Sequence, residues 1–268
     1  MVSPQLKLIF PPPPSVFINA ISVVSLISSA ILGLSESIGK QNLQYSKFCQ
    51  VSSQNSSSIK KIKLPSRLGM LFLYLPAFIA ALISWLLFPH EIIRTLLLSS
   101  TLTLHFFKRV FEVLFVHKYS GGIVLDSVIQ ISLAYFLSTA SLMYAQHLTK
   151  GLEEPEIDLK YAGVVLFLVG IIGNFYHHYI LSQLRANGEK EYKIPKGGLF
   201  GFVICPHYLF EIIGFIGFSF ISQTLHALSI TTGIIFYLMG RSYATRRWYI
   251  SKFEVFPKNV KALIPYVL

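Results

Sequence analysis

Seven stretches of mostly apolar residues, each closed by glycine, proline or charge, recur along the chain: Ser15 to Leu34, Gly69 to Phe88, Ile92 to Val116, Gly122 to Gln146, Ala162 to Leu181, Leu199 to Ser222 and Leu225 to Arg241. A bilayer core of ~30 Å needs roughly 20 helical residues to cross it. The pattern therefore predicts an all-α, polytopic membrane protein, with seven transmembrane helices enclosing a cavity. Pro11 to Pro14 stand before the first stretch where a basic segment would mark a secretory leader, so the amino terminus is expected to stay.

Composition agrees with this. Of 268 residues, 53% are hydrophobic and only 13% charged, with a mean hydropathy of +0.59, which excludes an ordinary soluble domain. The 22 Phe and 14 Tyr exclude a disordered chain. Cys49 and Cys205 cannot build a disulfide framework, and no CxxC or HExxH spacing is present, so no metal is expected. The net charge of +11 would suit nucleic acid if it lay along one soluble face, but it falls between apolar runs, and no nucleic-acid partner is expected.

Loop charge sets a direction. Lys40, Lys47, Lys60, Lys61, Lys63 and Arg67 follow the first run, Lys118 the third, and Arg185, Lys190, Lys193 and Lys196 the fifth, while Arg246, Arg247, Lys252, Lys258 and Lys261 lie in the tail. Glu153, Glu154, Glu156 and Asp158 follow the fourth. An odd number of spans puts the basic segments together, which predicts a lumenal amino terminus and a cytosolic carboxy terminus. Asn55-Ser56-Ser57 fits a glycosylation acceptor but faces the cytosol on this topology.

Ionisable groups inside spans are costly, about 2.5–3.5 kcal/mol each on insertion scales, so they mark function or buried pairs. His105, Lys108, Arg109 and Glu112 share one helical face, as do Asn174, His177 and His178, and His207, Tyr208 and Glu211; Arg241, Thr245, Trp248 and Tyr249 end the last run. Pairing among themselves, Arg109 with Glu112 or Glu211 for instance, would fix helix register. The surplus of Arg and Lys near the cytosolic ends calls instead for an anionic ligand, and Arg suits phosphate because its planar fork stays charged when buried. No GxGxxG, GxxxxGK[ST] or GxSxG motif supplies another chemistry. The adjacent His177 and His178 point about 100° apart on a helix, poor geometry for one metal.

Gln183-Leu184-Arg185, the run Tyr192 to Phe200, Cys205-Pro206-His207-Tyr208, Glu211 and the closing Phe256-Pro257-Lys258 resemble the carboxy-terminal domain of the steroid 5α-reductase family. Tyr45-Ser46-Lys47, Leu75-Pro76-Ala77-Phe78 and His105-Phe106-Phe107-Lys108-Arg109 extend the likeness upstream. The resemblance implies a single membrane domain over 1–268, with substrate-side helices in 15–146 and an NADPH-binding part in 162–268. It implies an endoplasmic-reticulum reductase that takes NADPH from the cytosol and saturates an activated C=C bond of a lipid. Carried over position by position, Asn174, Arg185, Tyr192, His207, Glu211, Arg241 and Tyr249 would line the NADPH site, with Lys47 and Arg109 near its phosphates.

The chain departs from that family at the substrate carbonyl. Steroid 5α-reductases carry Glu before the Leu-Pro of the second span and Tyr in a His-Tyr-Phe motif; here these are Tyr74 and Phe106. Lys108-Arg109 followed by Glu112 to Lys118 resembles the trans-2-enoyl-CoA reductases, so a steroid enone and an enoyl-CoA are both candidate substrates. Either demands a donor to the carbonyl oxygen as negative charge grows there. Tyr74, Tyr208 and Lys108 are the candidate catalytic residues. A sterol sensor or transporter without turnover is the reading from another class, and binding of NADPH separates it from the enzymes.

Overall fold

The computed structural model describes residues 8–39, 43, 45, 48, 62–87, 92–119, 121–185, 191–257 and 259–267. Lys47, Cys49 and the Asn55 acceptor lie outside them.

Among the described residues, seven long helices follow the seven apolar runs: α1 (Val16–Ile38), α2 (Ser66–Leu87), α3 (Ile93–Phe111), α4 (Leu125–His147), α5 (Lys160–Gln183), α6 (Pro206–Ser222) and α7 (Leu225–Lys252). Four of them, α1, α2, α4 and α5, are long and apolar enough to cross a membrane. Helix α6 is shorter, while α3 carries Arg94, Lys108 and Arg109 and α7 carries Arg241, Arg246 and Arg247. Two boundaries differ most from the sequence pattern. Residues Gly198–Gly201 form a 3₁₀ turn, and α6 begins only at Pro206, whose missing N–H suits a first turn. Helix α7 continues past Arg241 to Lys252, because apolarity ends there but helix-forming residues do not.

The chain also departs from a purely helical one. Lys63–Pro65 (β1) pairs antiparallel with Gly122–Val124 (β2), Leu64 opposite Ile123, and Ile123 fills the space over Gly69. This clasp ties the start of α2 to the start of α4.

Ser15 caps α1 by accepting from the Ile18 N–H, and Gly39 ends it in the left-handed conformation. Helix α1 packs along α7, α5 along α6, and α2 between α3 and α4. In lipid, helices gain little from hiding apolar surface and associate by close backbone packing. Gly163 of α5 lies against Gly217 of α6, and Gly33 of α1 meets Gly240 of α7 so closely that any side chain would strike a carbonyl.

At the acidic end, Arg94 is wholly buried and anchors the bundle. Its guanidinium binds Glu154, Asp158 at 2.9 Å, the Ile221 carbonyl at 2.6 Å and Gln223 Oε1 at 3.0 Å. Burial would raise the Asp158 carboxyl, but hydrogen bonds from Lys160 and the charge of Arg94 hold it below the usual range. Gln223, left-handed at the end of α6, also donates to the Leu8 and Ile157 carbonyls, fastening the loops to this end.

Candidate functional site

A cavity of about 790 Å³ opens between the helices, and all seven contribute to its wall. One region is apolar, with Val24 and Leu32 of α1, Leu133 and Leu137 of α4 and Ile230 and Ile234 of α7. The other is polar and aromatic, with Arg109, His178, Arg185, Tyr192, His207 and Glu211.

The polar region rests on the end of α3. A π turn over Glu112–Val116 closes it, with the His117 N–H donating to the Glu112 carbonyl at 2.8 Å. Glu112 is fully buried and accepts from Lys108 Nζ at 2.8 Å and from His178 Nδ1 at 2.9 Å. Arg109 Nη1 lies 3.4 Å from the same His178 nitrogen. Arg109 binds Glu211 and lies 3.5 Å from the other Glu112 oxygen. Both pairings considered from sequence are therefore present. Burial pushes the His117 imidazole down to about 4, with Arg109 and Lys108 adding to burial and Glu112 opposing it. Burial likewise raises the Tyr119 phenol.

Glu112, His117 and His178 each bring a ligand atom within 4.8 Å of the others, the one such grouping among the described residues. The Lys108 ammonium already stands 2.8 Å from the shared carboxylate oxygen, with Arg109 beside it, so the cation's place is filled by side chains.

Beside Arg185 runs a chain of aromatic contacts, edge-to-face from Tyr192 to Tyr249 and stacked at Phe253. Arg185 lies 4.9 Å over Tyr192 and donates to the Lys118 carbonyl at 3.1 Å. Tyr192 meets Trp248, Trp248 meets Tyr249, and Tyr249 stacks on Phe253. Lys193 completes this wall.

The residues expected to act fall into three groups. Tyr74, Tyr208, Arg109, Arg185, Tyr192, His207, Glu211, Arg241 and Tyr249 line the cavity. Lys108 and Asn174 stand behind its wall, where Asn174 accepts from Lys108 and donates to the His207 carbonyl at 2.7 Å. Lys47 is among the residues not described. Arg241 is held by both oxygens of Glu36 at 2.8 Å and lies between the rings of Tyr45 and Phe48, 4.2 and 4.1 Å away. The two adjacent histidines diverge as helical geometry requires: His178 faces the cavity, while His177 bonds the Gly173 carbonyl at 2.7 Å and accepts from the Leu199 N–H at 3.1 Å. His105 packs among Phe106, Phe215 and Phe218.

Sequence reasoning passed over Glu36, His117, Tyr119 and Tyr135. A phenol in the middle of an apolar span was the available signal for Tyr135, since lipid offers its hydroxyl no partner. Tyr135 reaches from α4 to the rings of Tyr74 and Phe106, at 5.6 and 5.7 Å.

A family model described as 3-oxo-5-alpha-steroid 4-dehydrogenase matches residues 125–268. A very-long-chain enoyl-CoA reductase of Dictyostelium discoideum is 37% identical over 174 residues, covering 62% of this chain and 56% of that protein. The 3-oxo-5-alpha-steroid 4-dehydrogenase 2 of Homo sapiens is 33% identical over 168 residues, 61% of this chain and 65% of its own length. That of Rattus norvegicus is 30% identical over 214 residues, 76% and 82%. The chain thus spans less than two thirds of the Dictyostelium and human proteins.

Proposed function

The chain belongs to the 3-oxo-5-alpha-steroid 4-dehydrogenase family, and from that premise we propose that it is an NADPH-dependent membrane reductase saturating the C=C bond of a lipid α,β-unsaturated carbonyl, with a Δ4-3-oxo steroid the first substrate to test. One observation carries this: a single cavity is lined by cations and aromatic rings as well as by apolar side chains, with the neighbouring phenols of Tyr74 and Tyr135 on its wall. We draw it with seven spans in the endoplasmic-reticulum membrane, the basic Arg185, Lys193, Arg246 and Arg247 toward the cytosol and the acidic Glu153 to Asp158 toward the lumen.

The donor set fits a phosphorylated dinucleotide. Arg185 and Lys193 are cations suited to phosphate oxygens, Tyr192 and Tyr249 offer faces for planar rings, and His207 offers a ring nitrogen for hydrogen bonding. When bound, NADPH supplies a hydride to the β-carbon. The protein's own part is to hold the lipid against that position, keep water from the apolar interior, and stabilise the charge gathering on the carbonyl oxygen. Tyr74 is our donor for that oxygen, and Tyr208, beside His207 at 4.3 Å, borders the nicotinamide side of the cavity on this reading. Glu112 and Asn174, both bonded to Lys108, brace the polar wall from behind.

The Dictyostelium relative's name favours a second substrate, a long-chain trans-2-enoyl-CoA. Purified protein assayed for NADPH oxidation with a progesterone-type enone and with that thioester distinguishes them. Turnover of the thioester alone replaces the first substrate by the second. NADPH binding with no turnover of either overturns the reductase, and no NADPH binding leaves the sensor or transporter.

A further inference from the structure

Tyr74 and Tyr135 come from different helices, α2 and α4, yet their rings lie 5.6 Å apart, tilted by 34°, on the cavity wall. Neither hydroxyl has a hydrogen-bond partner among the described residues. Both residues face the cavity, so each hydroxyl is left to whatever the cavity holds, and one ligand oxygen between them would answer both. The surroundings favour an oxygen that becomes negative. The Arg109 guanidinium lies 5.6 Å from the Tyr74 ring centre, and the nearby carboxylates of Glu211 and Glu112 are already engaged by Arg109 and Lys108. Phe106 packs edge-on against Tyr135, its ring at 71°, which fixes the phenol's direction without competing for the oxygen.

We propose that Tyr135 is a catalytic residue, and that its hydroxyl and that of Tyr74 donate together to the carbonyl oxygen of the unsaturated lipid. This rests on the reductase reading above. As the β-carbon accepts a hydride with its electron pair, the π electrons of the C=C bond shift toward the carbonyl and the oxygen gains the negative charge. Both phenols keep their protons and hold that charge by hydrogen bonding. The α-carbon then takes a proton from water held at the polar side of the cavity, so the C=C bond is reduced, the dinucleotide is oxidised, and one proton is consumed. Because the two donors stand on separate helices, carbonyl recognition depends on the seating of α4 against α2, which the β1–β2 clasp secures.

Tyr135→Phe keeps the ring and removes only the hydroxyl. In the purified full chain it is expected to lower kcat about 100-fold, the loss typical of one oxyanion donor. The KM for NADPH and the melting temperature should stay unchanged. Tyr144→Phe, on the same helix but away from the cavity, should behave as wild type. A kcat within twofold of wild type in Tyr135→Phe overturns the inference, as does a kcat loss matched by lost cofactor affinity and stability. The stretching frequency of a carbon-13-labelled enone carbonyl bound to the protein reads the same contact without turnover. It should fall on binding to wild type and recover in part in Tyr135→Phe, and an unshifted carbonyl overturns the inference. Absence of wild-type turnover sinks the reductase reading separately.

Discussion

Replacing Gly240 by Ala tests whether the α1–α7 contact governs the cavity. A methyl carbon built there lies 1.9 Å from the Gly33 carbonyl oxygen, where real contacts essentially never fall below 3.0 Å. The oxygen belongs to a helix backbone and cannot swing aside, so the helices must part by about 1.1 Å. Glu36 lies three residues beyond Gly33 and Arg241 directly follows Gly240, so their 2.8 Å hydrogen bonds stretch toward ~3.9 Å, past useful range. Overpacking costs ~1–3 kcal/mol. Weakening a buried pair adds part of the ~3–5 kcal/mol lost when such a pair is broken outright. Ala returns ~1 kcal/mol of helix propensity. The net loss of about 2–4 kcal/mol should lower the melting temperature by roughly 5–15 °C. NADPH affinity should fall with it, since Arg241 and Tyr45 line the cavity. Gly214→Ala, where a methyl group meets nothing within 4 Å, is the control and should melt no lower than wild type. Wild-type melting and cofactor affinity in Gly240→Ala would refute the reasoning.

Arg185→Ala should raise the apparent KM for NADPH about tenfold or more, from the ~1.5–3 kcal/mol of a charge-assisted contact, with kcat less affected; steady-state kinetics with an unchanged KM would remove Arg185 from the phosphate site. Arg241→Ala strands the buried Glu36 and should destabilise the fold by ~3–5 kcal/mol, so a wild-type melting curve would show that the pair does not anchor α1. His117 has its folded pKa depressed to about 4 from 6.5, so the unfolded chain binds the extra proton first and stability falls as pH drops from about 6.5 to 4. Melting His117→Gln across that range should give a shallower pH dependence, and a curve parallel to wild type would sink the assignment.

Hydrophobic periodicity revealed where helices run because lipid and helix geometry both act through local sequence. It could not reveal the clasp of β1 on β2, whose three-residue strands gain stability only once their distant segments meet. Nor could it reveal the π turn after Phe111, which reads as ordinary helix until His117 is seen bonding to Glu112. Glu36 was missed for a simpler reason: the apolar run stops at Leu34 while the helix continues to Ile38, carrying a carboxylate to Arg241 from far away in sequence.

That last pairing changes how the positive charge should be read. From sequence, pairing among the stripes stood beside a surplus of Arg and Lys near the cytosolic ends that called for an anionic ligand. In the fold, Arg94 is matched by Glu154 and Asp158, Arg109 by Glu211 and Glu112, and Arg241 by Glu36. These three arginines are buried and hold helices or loops to one another. Their substitution should show first in stability. The stripe on α3 is therefore mainly a brace, and on the proposed reading phosphate is met by Arg185 and Lys193, which line the cavity. On the same reading the phenols of Tyr74 and Tyr135 are left to the uncharged end of the lipid, the division of labour that a reductase joining a dinucleotide to an apolar substrate requires.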